Sequence, residues 1–153
     1  MKRQNIKFRN YERTNMDKNS STITLAESKD LAEKIVSILL EKNGIDVCLY
    51  CVKDESSVTD YYVNVTGRSS TNVIALSDEV TYQVGLLGRE ANHTEGRDGR
   101  AWVLVDYTDV IVNVFDKQSR EFYNFDRLLP EGSLVDISHI IAAVDAKFNI
   151  NKN

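Results

Sequence analysis

The chain has 153 residues, 42% of them hydrophobic, enough for one globular domain with a continuous core and too few for a second full domain. Its longest apolar runs, such as IVSILL at 35–40, fall far short of the roughly 18 to 20 residues that cross a bilayer. With no signal-type apolar region after the N-terminus, a soluble, cytoplasmic protein without a membrane span is expected.

Charge is divided unevenly along the chain. Residues 1–18 carry six Lys or Arg against Glu12 and Asp17, and residues 19–153 carry 13 bases against 21 acids, so the body is −8 while the whole is −4. Such a body disfavours sequence-specific nucleic-acid binding and favours a basic protein partner. The N-terminal piece is polar without a helical period, and a disordered basic extension over 1–22 is expected. Met16 opens MDKNSSTITL, a plausible alternative start, and the Arg-containing, nearly acid-free segment also fits a transit peptide.

TLAESKDLAEKIVSILLEKNG places Leu31, Ile35, Ile38 and Leu39 on one helical stripe, with Thr24 and Glu27 as a capping box and Asn43-Gly44 as the stop. IDVCLYCVK and TDYYVNVT read as two strands joined through the polar DESS. Cys48 and Cys51 form a CxxC, but on a strand they point to opposite faces. Redox pairs of this spacing sit at a helix start, and zinc needs further ligands that His93 and His139 do not supply, so buried structural thiols are expected. GRSSTNVIALSDEVTYQVGLLG gives a glycine, a Ser-rich cap and a helix on Val73, Leu76, Val80, Val84 and Leu87. REANHTEGRDGRA reads as a polar loop, WVLVDYTDVIVNVF as a hairpin and SREFYNFDRLL as a short helical piece. SLVDISHIIAAVDAKF closes the chain as an amphipathic helix on Ile137, Ile140, Ile141, Val144 and Phe148. Alternation of helices and strands gives an α/β (α+β) class with a small mixed sheet flanked by helices.

With Tyr107 and Thr108 as a two-residue hairpin loop, Asp106 pairs with Asp109, Leu104 with Ile111 and Trp102 with Asn113. One face then carries Val103, Val105, Val110, Val112 and Val114, a core face. The other carries Trp102, Leu104, Asp106, Asp109, Ile111, Asn113 and Phe115. Two carboxylates side by side repel unless water, a cation or a basic partner compensates, or unless both cap the turn. An aromatic anchor among acids has the make-up of a protein-binding hot spot.

Paired carboxylates also hold Mg²⁺ for nucleotidyl transfer, which needs two acids projecting from one face of a strand after a Gly-Ser turn. Gly67 with Ser69 and Ser70 offers the turn, but Asp78-Glu79 are adjacent on a helix and Asp106 and Asp109 are three apart across a loop, so the pattern fails. An anion site at TGRSS with Arg68 is weaker than ordinary Ser capping. His93 and His139 supply no triad. No metal, cofactor or catalytic residue is expected.

In order, TDYYVNVTGRSSTNVIALSDEV, then EG followed after five residues by WVLVDYTDVIVNVF, then SREFYNFDRLL closely resemble the ribosomal silencing factor (Iojap-like) family over roughly residues 25–130. The resemblance implies a nucleotidyltransferase-like fold without the catalytic acids. It also implies binding to large-subunit ribosomal protein fourteen, which blocks joining of the small subunit and represses translation. Organelle members act in large-subunit assembly, and isolated members often form homodimers. The family's binding segments carry over to Trp102, Val103, Leu104, Asp106, Tyr107, Asp109, Arg120, Phe122 and Tyr123, with Asn113 on the same face where a His is frequent. Thr108 stands where the family usually has Gly, at a position where a β-branched residue disfavours positive φ. Leu129 replaces a common Trp.

The expected organisation is a basic extension over 1–22, a silencing-factor domain over 23–130 and an added amphipathic helix over 131–153. That helix covers an edge, extends a dimer contact or modifies partner binding; the sequence leaves the three open. Set against translation repression are two alternatives, a large-subunit assembly factor and a Mg²⁺-dependent nucleotidyltransferase-type enzyme using Asp106 and Asp109.

Overall fold

The computed structural model describes Leu25 and residues 27–152. The predicted basic extension lies outside them. Helix α1 (Ser28–Glu41) leads into strands β1 (Ile45–Cys51) and β2 (Tyr61–Gly67), helix α2 (Ser70–Leu86) and strands β3 (His93–Glu95), β4 (Trp102–Asp106) and β5 (Val110–Asp116). Helix α3 (Lys117–Tyr123), a 3₁₀ turn (Phe125–Leu128) and helix α4 (Ser138–Lys152) complete the chain. The strands form one mixed sheet in the order β1-β2-β5-β4-β3, with β2 and β5 parallel and every other neighbouring pair antiparallel.

Side chains alternate across each strand, so the sheet has two chemically distinct faces. One presents Leu49, Val63, Val65, Val103, Val105, Val110, Val112 and Val114, and packs against Leu31, Ile35 and Leu39 of α1 and Val73, Leu76, Val80 and Val84 of α2 to form the core. Fully burying each such side chain is worth about 1.5–3 kcal/mol. The predicted all-valine face is therefore core. Ser69 caps α2 by accepting from the Asn72 backbone N–H at 3.1 Å, as the Ser-rich junction predicts. A Cβ on the preceding Gly67 would stand 2.9 Å from Val73, which is why glycine brings helix and strand this close.

The start of α1 differs from expectation. Its N-cap is Glu27, without a side-chain cap bond, and Thr24 lies outside the described residues. Tertiary contacts hold this end instead: Leu25 is buried and its carbonyl accepts from Arg89 Nη1 at 2.8 Å. The polar loop after α2 also contains more structure than its composition suggests, since His93–Glu95 pairs with β4.

The hairpin forms in a shifted register. Trp102 pairs with Phe115, Leu104 with Asn113 and Asp106 with Ile111, while Tyr107 N–H donates to Val110 O at 2.9 Å, so the loop residues are Thr108 and Asp109. The paired strand residues keep their faces, but Asp109 leaves the Trp102 face, and Asp106 and Asp109 are not cross-strand partners. Asp109 turns inward and meets Arg89 Nη2 at 2.8 Å. Arg89 is buried and also donates to Tyr107 O at 3.3 Å. Pairing with a buried guanidinium at the loop outweighs the solvent-facing position that the two-residue loop on Tyr107 and Thr108 predicted. Thr108 now takes the first loop position at φ 77°, the strain its β-branched side chain foretold. Its hydroxyl accepts from Asn92 Nδ2 at 2.9 Å and its N–H donates to Asp106 Oδ1 at 2.7 Å, contacts that hold the turn.

On the opposite face, α3 and the 3₁₀ turn are fastened by Arg120. Its guanidinium donates to Asp46 O at 2.8 Å, Thr66 Oγ1 at 3.0 Å and Asp126 Oδ2 at 3.0 Å. Tyr50 donates to the same Asp126 oxygen at 2.7 Å. Burial raises the Asp126 pKa, but hydrogen bonds from Arg120 and Tyr50 outweigh it and the carboxyl lies below its ordinary value. Asn124, at φ 50°, separates helix from 3₁₀ turn.

The C-terminal segment belongs to the same unit. Cys51 N–H donates to Ser133 O and Val135 N–H to Leu49 O, both at 2.8 Å, so residues 133–135 cover the outer edge of β1. Helix α4 lies on α1 through buried Ile140 and Val144, with Lys147 on Glu41 at 3.0 Å. Ile141 and Phe148, predicted for the same stripe, remain about 40% exposed. Cys48 and Cys51 are free, half-buried and on opposite faces.

Arg89→Met is expected to cost about 3–5 kcal/mol in urea unfolding, because it leaves the Asp109 carboxylate in the interior without its cation. Arg89→Met with Asp109→Asn is expected to recover part of that loss. For Asp126 the depressed folded pKa means its stabilisation is complete above the unfolded value of 3.8 and is lost as pH falls below it. Asp126→Asn is expected to be less stable by about 1.5–3 kcal/mol at neutral pH. It should also lose stability less steeply as pH falls below the ordinary carboxylate value of 3.8, read by thermal melts across acid pH.

Candidate protein-docking face

The sheet face turned away from α1 and α2 is only partly covered. Across it run Cys48 and Tyr50 on β1, Tyr62, Asn64 and Thr66 on β2, Ile111, Asn113 and Phe115 on β5, Trp102, Leu104 and Asp106 on β4, and His93 and Glu95 on β3. Helix α3 and the 3₁₀ turn cap one end and add aromatics. Trp102 stands 4.9 Å from Phe115, 5.1 Å from Tyr123 and 6.0 Å from Phe125 between ring centroids, and Phe122 meets Tyr123 edge-on at 5.0 Å. Offset and edge-on arrangements of this kind are favourable beyond simple burial.

Exposure sorts the residues that the sequence marked. Trp102 and Leu104 are half-buried, Phe122 is 78% exposed and Tyr123 is 54% exposed, so these four form an accessible aromatic and apolar patch. Asp106 borders it, with 21% of its side chain exposed. Val103, Tyr107 and Asn113 are fully buried and present no side chain to the outside, and Asp109 keeps only 11% of its side chain exposed. Tyr107 points to the core side, where burial first of all raises its pKa. Asp109 is engaged by Arg89, and Asn113 accepts from the Trp102 indole at 2.9 Å. Arg120 is committed to Thr66, Asp46 and Asp126 and acts by holding α3 in place. Tyr107, Asp109, Asn113 and Arg120 thus support the surface from behind.

Two neighbours escaped the sequence reading. His93, read only as part of a polar loop, lies 3.0 Å from Glu95 and 3.6 Å from Asp106. Gly96, at φ 87°, crosses the Trp102 backbone so closely that a Cβ would stand 2.0 Å from its carbonyl oxygen. The alternation of β3 over three residues was too short to signal a strand, while the glycine in a polar loop was visible without its reason.

With Asp109 turned to Arg89 and Asp106 holding the Thr108 N–H, the two carboxylates do not converge on a shared metal position. Among the described residues no group of three or more His, Cys, Asp or Glu side chains is placed to hold a metal ion, and no helix is long and apolar enough to cross a membrane.

A family model described as "Ribosomal silencing factor during starvation" matches residues 25–152, and so includes α4 beyond the residue 130 at which the sequence resemblance ended. The chain is 34% identical over 97 residues to Ribosomal silencing factor RsfS of Bacillus subtilis, covering 63% of this chain and 82% of that one. It is 27% identical over 114 residues to "Mitochondrial assembly of ribosomal large subunit protein 1" of Mus musculus, covering 72% of this chain and 50% of that protein. Among solved structures, a Chromobacterium violaceum protein superposes with a TM-score of 0.65 at 26% identity, over 67% of this chain and 86% of that one. The mixed sheet, the Trp102 face and a match across nearly all of the described residues place this chain in the ribosomal silencing factor family.

Proposed function

We propose that the protein represses translation by binding the large ribosomal subunit through ribosomal protein fourteen and sterically blocking the small subunit. The observation that carries this reading is the partly covered sheet face on which half-buried Trp102 stands beside exposed Phe122 and Tyr123, with Asp106 and Glu95 at its margin. A half-buried aromatic anchor with exposed neighbours provides the apolar centre of a docking patch, and marginal acids in a −8 body steer it to a basic protein. Steric blocking needs no catalytic group, and we read the protein as a cytoplasmic regulatory factor rather than an enzyme. Assembly of the large subunit is the second reading, favoured by the name of the mouse relative. Its docking surface would be the same, and the subunit profile of a deletion strain distinguishes the two.

Co-sedimentation with purified large subunits is expected to show salt-sensitive binding and reduced joining of small subunits. Trp102→Ala with Asp106→Lys is expected to weaken binding at least about tenfold while leaving the melting transition cooperative. Binding that is insensitive to both salt and this double change would overturn the assignment of the face.

A further inference from the structure

Trp102 is the only tryptophan of the chain, and its indole N–H is the only polar group on its side chain. That N–H donates to Asn113 Oδ1 at 2.9 Å, across the diagonal between β4 and β5. Asn113 in turn donates through Nδ2 to Asn64 Oδ1 at 3.0 Å, directly opposite on β2. Both asparagines are fully buried. Because an indole only donates, the atom of Asn113 facing it must be the oxygen, so its amide must face Asn64. The chain of donors has one direction, and each member fixes the orientation of the next.

Burying two amides on an aromatic face costs desolvation that apolar side chains would not incur. The pair lies on the open face, opposite the valine core, and its outermost member is the indole. We propose that Asn113, braced by Asn64, is a positioning residue that presets the Trp102 ring as a docking anchor. This rests on the docking role proposed above for the Trp102 face. An indole held in one orientation loses less freedom on binding than a mobile one. With its N–H consumed internally, the ring offers a partner only its apolar edge and π face, which suit an aliphatic or cationic side chain.

The lone tryptophan makes the test direct, since the ¹⁵N-labelled full-length chain has a single indole N–H resonance. Asn64→Leu with Asn113→Leu replaces both buried amides and leaves neither orphaned. In this variant the indole resonance is expected to move upfield, its hydrogen exchange to accelerate about tenfold or more, and binding to purified large subunits to weaken about three- to tenfold. Asn113→His provides the second variant, because neutral imidazole keeps one acceptor and one donor. It is expected to restore slow indole exchange and binding at pH 8, and to lose both as pH falls below about 6.5, beyond any change in the wild type. An indole resonance and exchange rate unchanged in the double Leu variant, or changed with no loss of affinity, overturns the positioning role. Absence of binding by the wild-type chain overturns the docking role instead, while the indole measurements still decide whether Asn113 sets the ring.

Discussion

The Arg89–Asp109 contact is the constraint from which the rest of the site follows. A guanidinium without solvent exposure is tolerated only where its partners are complete enough to offset desolvation. Here they come from the entry of the chain at Leu25 and from the hairpin tip at Tyr107 and Asp109. Drawing Asp109 inward selects Thr108 and Asp109 as the loop residues, and this choice sets the pairing of Trp102 with Phe115. A salt bridge on the core side thereby determines which aromatic ring stands behind the anchor on the other side.

The two faces of the sheet manage burial differently. The helix-covered face is almost wholly aliphatic and is stabilised by burial. The other has only one short helix and a 3₁₀ turn above it, so it combines aromatic stacking with directional polar bonds: the asparagine pair at its centre and the Arg120–Asp126–Tyr50 cluster at its end. Aliphatic packing tolerates small shifts in side-chain placement, whereas hydrogen-bonded amides and guanidinium groups do not. That difference suits a surface whose shape must exist before its partner arrives.

Local patterns in the sequence carried the element order and the division into faces, because strand alternation and helical spacing involve neighbours only a few residues apart. Val103, Val105, Val112 and Val114 needed nothing more than period two. Residues whose roles depend on distant partners were misplaced. Arg89 looked like part of a polar loop because its partner lies 20 residues on. Arg120 was assigned to partner binding by resemblance, and its fastening to Thr66, 54 residues away, was not legible locally. Asp109 and Tyr107 kept the hydrophilic reading of a turn, although the first is drawn in by Arg89 and the second continues the valine face. The positive φ at Thr108 was legible, since the difficulty of a β-branched residue there is local.

The placement of residues 133–135 along β1 has a consequence for how this protein meets other chains. Sheet edges are templates on which any extended peptide can add a strand, reading backbone and little else. One edge is covered along residues 49–51 by the chain's own C-terminal segment, and the other is the three-residue, exposed β3 with polar His93 and Glu95. Strand addition is thus discouraged on both sides, and intermolecular contact is diverted from generic main-chain pairing to the side chains of the open face. A chain whose edges are blunted in this way meets other molecules through a pattern of side chains, which discriminates between partners where main-chain pairing does not.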